Sequence, residues 1–114
     1  MIEIEINNLT EPHREYISRE NLLRDSNKSA SEIAREWANL GHPIFTACYL
    51  SIVDDLNKEG KSRILADAYE NKSRDLASRA RFLLEKTGND NWYYKQARAN
   101  FEKSVNLRLQ LSQK

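Results

Sequence analysis

Long apolar runs are scarce in this chain, and the longest, Gly41-His42-Pro43-Ile44-Phe45-Thr46-Ala47-Cys48-Tyr49-Leu50-Ser51-Ile52-Val53-Asp54-Asp55-Leu56, sets the pattern for the rest. At 100° per residue, Phe45, Tyr49, Ile52 and Leu56 form one seam, with Cys48 and Val53 beside it. Ala47 and Leu50 fall toward the back, which leaves a polar strip of Ser51, Asp54 and Asp55. A helix apolar around so much of its circumference is normally wrapped by others, because exposing each large side chain forfeits roughly 1.5–3 kcal/mol. The pattern predicts a central core helix over 43–57.

Thr10-Glu11-Pro12 combines an N-cap, a carboxylate at the positive helix end and a first-turn proline, and predicts a helix over 11–24. Ser29-Ala30-Ser31-Glu32 has capping-box spacing and opens a helix over 30–40. Its apolar face carries Ile33, Trp37 and Leu40, with Ala30 and Ala34 beside them. Gly41 closes that helix and Pro43 starts the next, which Asn57-Lys58-Glu59-Gly60 is expected to end. Residues 61–87 contain no breaker and predict the longest helix, with Leu65, Ala68, Tyr69, Leu76, Ala80 and Leu83 on one face. After the Gly88-Asn89-Asp90 turn, a last helix over 91–111 is expected to bury Tyr93, Tyr94, Ala97, Phe101 and Val105.

The N-terminus follows a different period. Ile2, Ile4 and Ile6 alternate with charged residues, so 1–7 reads as an extended arm or strand. A strand needs a partner. Candidates are the alternating Leu107-Arg108-Leu109-Gln110-Leu111, forming a terminal ribbon, or a second copy of the chain. The fold class is all-α: a single domain over 1–114 with a four to five helix bundle and a short N-terminal extended segment.

Composition narrows the function classes. Charged residues make up 31% and hydrophobic ones 39%, which suits helices with broad solvated faces. The single cysteine, Cys48, cannot form a disulfide within the chain or build a cysteine-rich zinc site. Apolar runs fall short of transmembrane length and the N-terminus lacks a signal-peptide pattern, so a cytoplasmic protein without a membrane partner is expected. The net charge of +1 divides unevenly, with −5 over residues 1–60 and +6 over 61–114. Such a division suits either two halves that pack together or a basic half that meets an acidic partner or nucleic acid.

Chemistry-bearing motifs are few. Residues 29–56 have the outline of a helix-turn-helix, but the second helix offers Ile44, Phe45, Thr46, Ala47 and Cys48 where base-reading side chains are needed. Trp92-Tyr93-Tyr94-Lys95-Gln96-Ala97-Arg98 mixes aromatics with cations, as a base-stacking platform does, with Trp92 turned outward. Tyr94, Ala97 and Phe101 are similar in spacing to the second helix of a tetratricopeptide repeat, without that architecture's repeating period. Arg63, Arg74 and Arg81 share a stripe with Asp67, Glu70 and Glu85, as on a salt-bridged exposed face. Arg35 and His42, with six residues between them, resemble the arginine–histidine motif of HEPN ribonucleases. That two-residue resemblance implies a helical dimer cleaving RNA phosphodiester bonds through Arg35 and His42. Gly41 and Pro43 place His42 at a helix break, where the alternative is a helix-capping histidine beside a surface arginine. There is no Gly-rich phosphate loop and no Glu-x-x-His pair, so no catalytic, cofactor or metal site is assigned.

These features favour a small non-enzymatic interaction or regulatory protein that works through helical surfaces and forms a homo-oligomer. A nucleic-acid-binding protein using residues 61–114 is the alternative, and a HEPN-like ribonuclease the third. The candidate interaction surface comprises Ile2, Ile4, Ile6, Arg74, Arg81, Trp92, Lys95 and Arg98. Sedimentation at micromolar concentration should give a mass near twice 13.3 kDa. Deleting residues 1–7 should weaken that association. A monomer unchanged by the deletion would refute it.

Overall fold

Four α-helices make up most of the computed structural model, which describes residues 27–88 and 91–112: α1 (Ala30–Asn39), α2 (Pro43–Leu50), α3 (Lys58–Thr87) and α4 (Asn91–Ser112). No strand occurs among the described residues, and the fold is an all-α bundle. The extended segment expected over 1–7 and the helix expected over 11–24 lie outside the described residues.

Local chemistry accounts for each boundary. Ser29 caps α1 by accepting a hydrogen bond from the Glu32 N–H at 3.3 Å. At the other end the Gly41 N–H donates to Ala38 O and the His42 N–H to Trp37 O, both at 3.0 Å. This is a Schellman closure, made possible by Gly41 at φ +73°. The His42 and Trp37 rings supply its side-chain contact, edge to face at 5.2 Å. Pro43 then starts α2. After Leu50 the Ser51 hydroxyl turns back to the Cys48 carbonyl, and the Ile52 and Val53 N–H groups bond three residues back. These tightened turns end the helix. Asn57 Oδ1 accepts from the Gly60 N–H at 2.8 Å and caps α3, so Gly60 lies inside the first turn of that helix.

The long helix α3 packs against each of the other three. Its Ile64, Leu65, Ala66, Ala68 and Tyr69 join Ala30, Ala34 and Ala38 of α1, Ala47 and Leu50 of α2, Val53 and Leu107 in one buried cluster. Alanines at i, i+4 and i+8 let α1 lie close against its neighbours. The turn at Gly41 approaches α3 closely: an added Cβ there would stand 2.9 Å from Lys72 N and 3.1 Å from the Asn71 carbonyl carbon. Beside it, Asn71 Nδ2 donates to Ala38 O at 2.9 Å and satisfies a carbonyl at the end of α1.

Several expectations are corrected here. The helix expected over 43–57 is an eight-residue α2, followed by an irregular connection over 51–57. Cys48 and Val53 are buried as expected, but the inward face is rotated: Thr46, Ala47 and Leu50 are buried, whereas Ile44 is 54% and Phe45 44% exposed. Tyr49, Ile52 and Leu56 are partly buried at the margin of the core. Burying Thr46 is inexpensive because its hydroxyl donates to His42 O at 2.8 Å. The hub is α3, which begins at Lys58 rather than 61. Leu107-Arg108-Leu109-Gln110-Leu111 is helical, and so supplies no strand to pair with 1–7.

Two glycines share nearly the same backbone conformation and differ in crowding. Gly88, at φ +74°, has no atom within 4 Å of an added Cβ. Gly88→Ala should cost about 1–2 kcal/mol, the strain of a left-handed alanine. Gly41→Ala adds the collision with α3 and should cost about 2–4 kcal/mol. Urea denaturation of the two variants checks this. Equal losses would mean that the turn is not docked on α3.

Candidate functional site

The second half of α3 and the first half of α4 form an antiparallel hairpin, turned at Gly88, whose N–H donates to Leu84 O at 3.0 Å. Small side chains lie in the seam. From α4 come Ala97, Ser104 and Leu107, and from α3 Ser73, Leu76 and Ala80, all buried. Centring α4 on these residues rotates its aromatics to the margin, with Tyr94 44% and Phe101 50% exposed. Both had been expected in the core, and only Ala97 of that group is fully buried.

Tyr94 and Phe101 wall a groove of about 460 Å³, completed by Ser73, Ala97, Lys95 and Arg98. Among the described residues, no carboxylate lines it. Five other cations of the basic half are engaged within the fold. Arg108 donates to Asp67 at 2.7 Å and to Glu70 at 3.4 Å, Arg74 lies 3.7 Å from Glu70, and Arg79 lies 3.2 Å from Asp75. Lys103 sits over the Tyr69 ring and Lys86 over the Phe82 ring. Asp67 thus pairs across the hairpin with Arg108 rather than with Arg63. Lys95 and Arg98 have no ion-pair partner among the described residues.

Of the candidate surface residues, the structure brings Lys95 and Arg98 together in this groove. Arg74 and Arg81 are exposed on the outer side of α3, and Trp92 is 61% exposed at the hairpin tip, edge-on to Tyr93 at 4.9 Å. Ile2, Ile4 and Ile6 lie outside the described residues. Tyr94, Phe101 and Ser73 escaped the sequence reading as surface residues. The available signal was the line of small residues Ala97 and Ser104, which marks the close-packed face better than the large aromatics do.

Arg35 and His42 are not joined. The His42 ring packs on Trp37 and Phe45, and Trp37 stacks on Phe45 at 4.7 Å. The 100° helical step sets Arg35 nearly opposite Trp37, away from that ring. His42 occupies the N-cap position of α2 without a side-chain capping hydrogen bond, so its expected capping role is also corrected. Glu36 pairs with Lys28 rather than with Arg35. Other hollows lie elsewhere among the described residues. One of about 330 Å³ is lined by Ser78, Arg79, Phe82, Leu83 and Tyr93. Another, of about 380 Å³, lies at the start of α1 beside Asp54 and Asp55. No group of three potential metal ligands occurs among the described residues.

Comparison with known protein families, curated proteins and solved structures finds no match to this chain.

Cys48 is buried and unpaired, and burial pushes its thiol above the ordinary range. The folded thiol holds its proton to higher pH than the unfolded one. Its contribution to stability is therefore complete below the ordinary thiol range and falls as pH rises through the raised folded value. At about pH 8.5 iodoacetamide should modify the native protein at least about tenfold more slowly than the urea-unfolded chain. Equal rates would place Cys48 at the surface.

Proposed function

We propose that the protein is a small non-enzymatic interaction or regulatory module that recognises a protein partner through the α3–α4 hairpin. The observation that carries this reading is the groove between Tyr94 and Phe101. Large aromatics held half-exposed on a packed helix pair, with cations at the rim, have the make-up of a protein-binding hot spot. The absence of a long apolar helix among those described agrees with a cytoplasmic setting. Cys48 is buried and its thiol is pushed up by burial, so this side chain is a poor nucleophile.

Nucleic acid is the second reading, favoured by the exposed Tyr94 and Phe101 beside Lys95 and Arg98. The ion pairs of Arg74, Arg79 and Arg108 weigh against it, because a phosphate track needs a run of available cations.

Two measurements test the proposal. With Phe101 replaced by a photoreactive phenylalanine, irradiation in extract of the source cells should link the chain to protein. The same probe at Arg63 should give no such product. Labelled oligouridylate should bind no more tightly than about 10⁻⁴–10⁻⁶ M at physiological salt. A tight, steeply salt-dependent RNA complex lost on reversing Lys95 and Arg98, with no protein cross-link, would overturn the reading.

A further inference from the structure

Resting on that reading, we infer that the hairpin groove takes an amphipathic helix bearing carboxylates, contributed by a partner protein. The geometry fits a helix. Tyr94, Arg98 and Phe101 follow one another at i, i+4 and i+7 along α4, so the aromatic walls stand about 10 Å apart along the axis. That is two helical turns, the spacing at which a partner helix presents successive apolar anchors. Between them the floor is shallow and small, made by Ala97 at 6% and Ser73 at 8% exposure, so an incoming side chain can descend between the rings.

Charge selects the kind of helix. Lys95 and Arg98 are the charged residues among those described in the lining, and neither is neutralised by an ion pair among the described residues. Asp67 and Glu70 pair with Arg108 and Arg74, Asp75 pairs with Arg79, and the exposed Glu102, one turn along α4 from Arg98, makes no ion pair with it. A partner carrying Asp or Glu beside its apolar anchors completes both requirements, burying the aromatic walls and pairing the two cations. Nucleic acid fits less well, because the described lining offers two cations rather than the run of them that a phosphate backbone needs.

The test uses the full chain and two fluorescent synthetic peptides of about four helical turns. Both carry leucines at i, i+3, i+4 and i+7. One has glutamates flanking the leucines, the other lysines. Fluorescence anisotropy should show the glutamate peptide binding at least about tenfold more tightly than the lysine peptide. Lys95→Glu together with Arg98→Glu should reverse that preference, and Phe101→Ser should weaken the glutamate peptide by about tenfold or more. Phe82→Ser, in the separate hollow with Tyr93, should leave binding unchanged. Circular dichroism establishes that each variant is folded, and both Lys95 and Arg98 are exposed enough to change without disturbing the core.

Equal binding of both peptides, indifference to the Lys95 and Arg98 reversal, or displacement of the glutamate peptide by oligouridylate would overturn the inference. Failure of both peptides while position 101 still cross-links to protein would overturn the acidic-helix assignment and leave the interaction reading standing. A Phe101 cross-link to a second copy would do the same. Loss of the cross-link as well would remove both.

Discussion

The bundle depends on a backbone-to-backbone approach: the turn at Gly41 lies directly against the main chain of α3 at Asn71 and Lys72. No side chain fits there, and the left-handed φ that closes α1 is the conformation glycine adopts most cheaply. One residue thus both ends a helix and sets the distance between two elements. The Asn71 hydrogen bond to Ala38 O then fixes the turn along the length of α3. With α1 and α2 held on one flank of the first half of α3, the other flank is left for α4.

That division of α3 explains why an open groove can exist on so small a protein. Thirty residues make a helix about 45 Å long, more than α1 and α2 can cover. The second half of α3 therefore has α4 as its main described neighbour, and the hairpin presents its margins to solvent. Small seam residues bring the two helices together and leave Tyr94 and Phe101 bracketing a groove instead of filling a core. The same economy governs charge. Carboxylates of α3 pair with Arg74, Arg79 and Arg108, whereas Lys95 and Arg98 in the groove have no ion pair among the described residues.

The excess of basic residues in the second half thus has a different meaning in three dimensions. Summed along the sequence it suggests a broad polyanion-binding face. In the fold, Arg108 bridges from α4 to Asp67 and Glu70, a use of charge that fastens the hairpin over a separation of 38 and 41 residues. Exposed ion pairs of this kind contribute little stability each, on the order of 0–1 kcal/mol. They do decide which cations remain available at the surface.

Helical class, the capping of α1 at Ser29, the stop at Gly41, the restart at Pro43 and the turn at Gly88 were all legible in the sequence, because each is enforced by a residue's own dihedral preference or a neighbour's hydrogen bond. The buried face of α3 was legible too, since Leu65, Ala68, Tyr69, Leu76 and Ala80 repeat at helical spacing in a mostly polar segment. The inward face of α2 was not. A helix apolar on nearly every side has no preferred rotation, and docking chose Ala47 and Leu50 over Phe45. Its length was not legible either, because Ser51 can continue a helix or turn back to Cys48 with similar ease, and Asn57 can follow one helix or cap the next. The groove was hidden for the same reason. Periodicity groups Tyr94 and Phe101 with Ala97, but how far apart two helices sit is a property of the pair, and the small residues Ala97, Ser104 and Ser73 set that distance only once α3 and α4 have met.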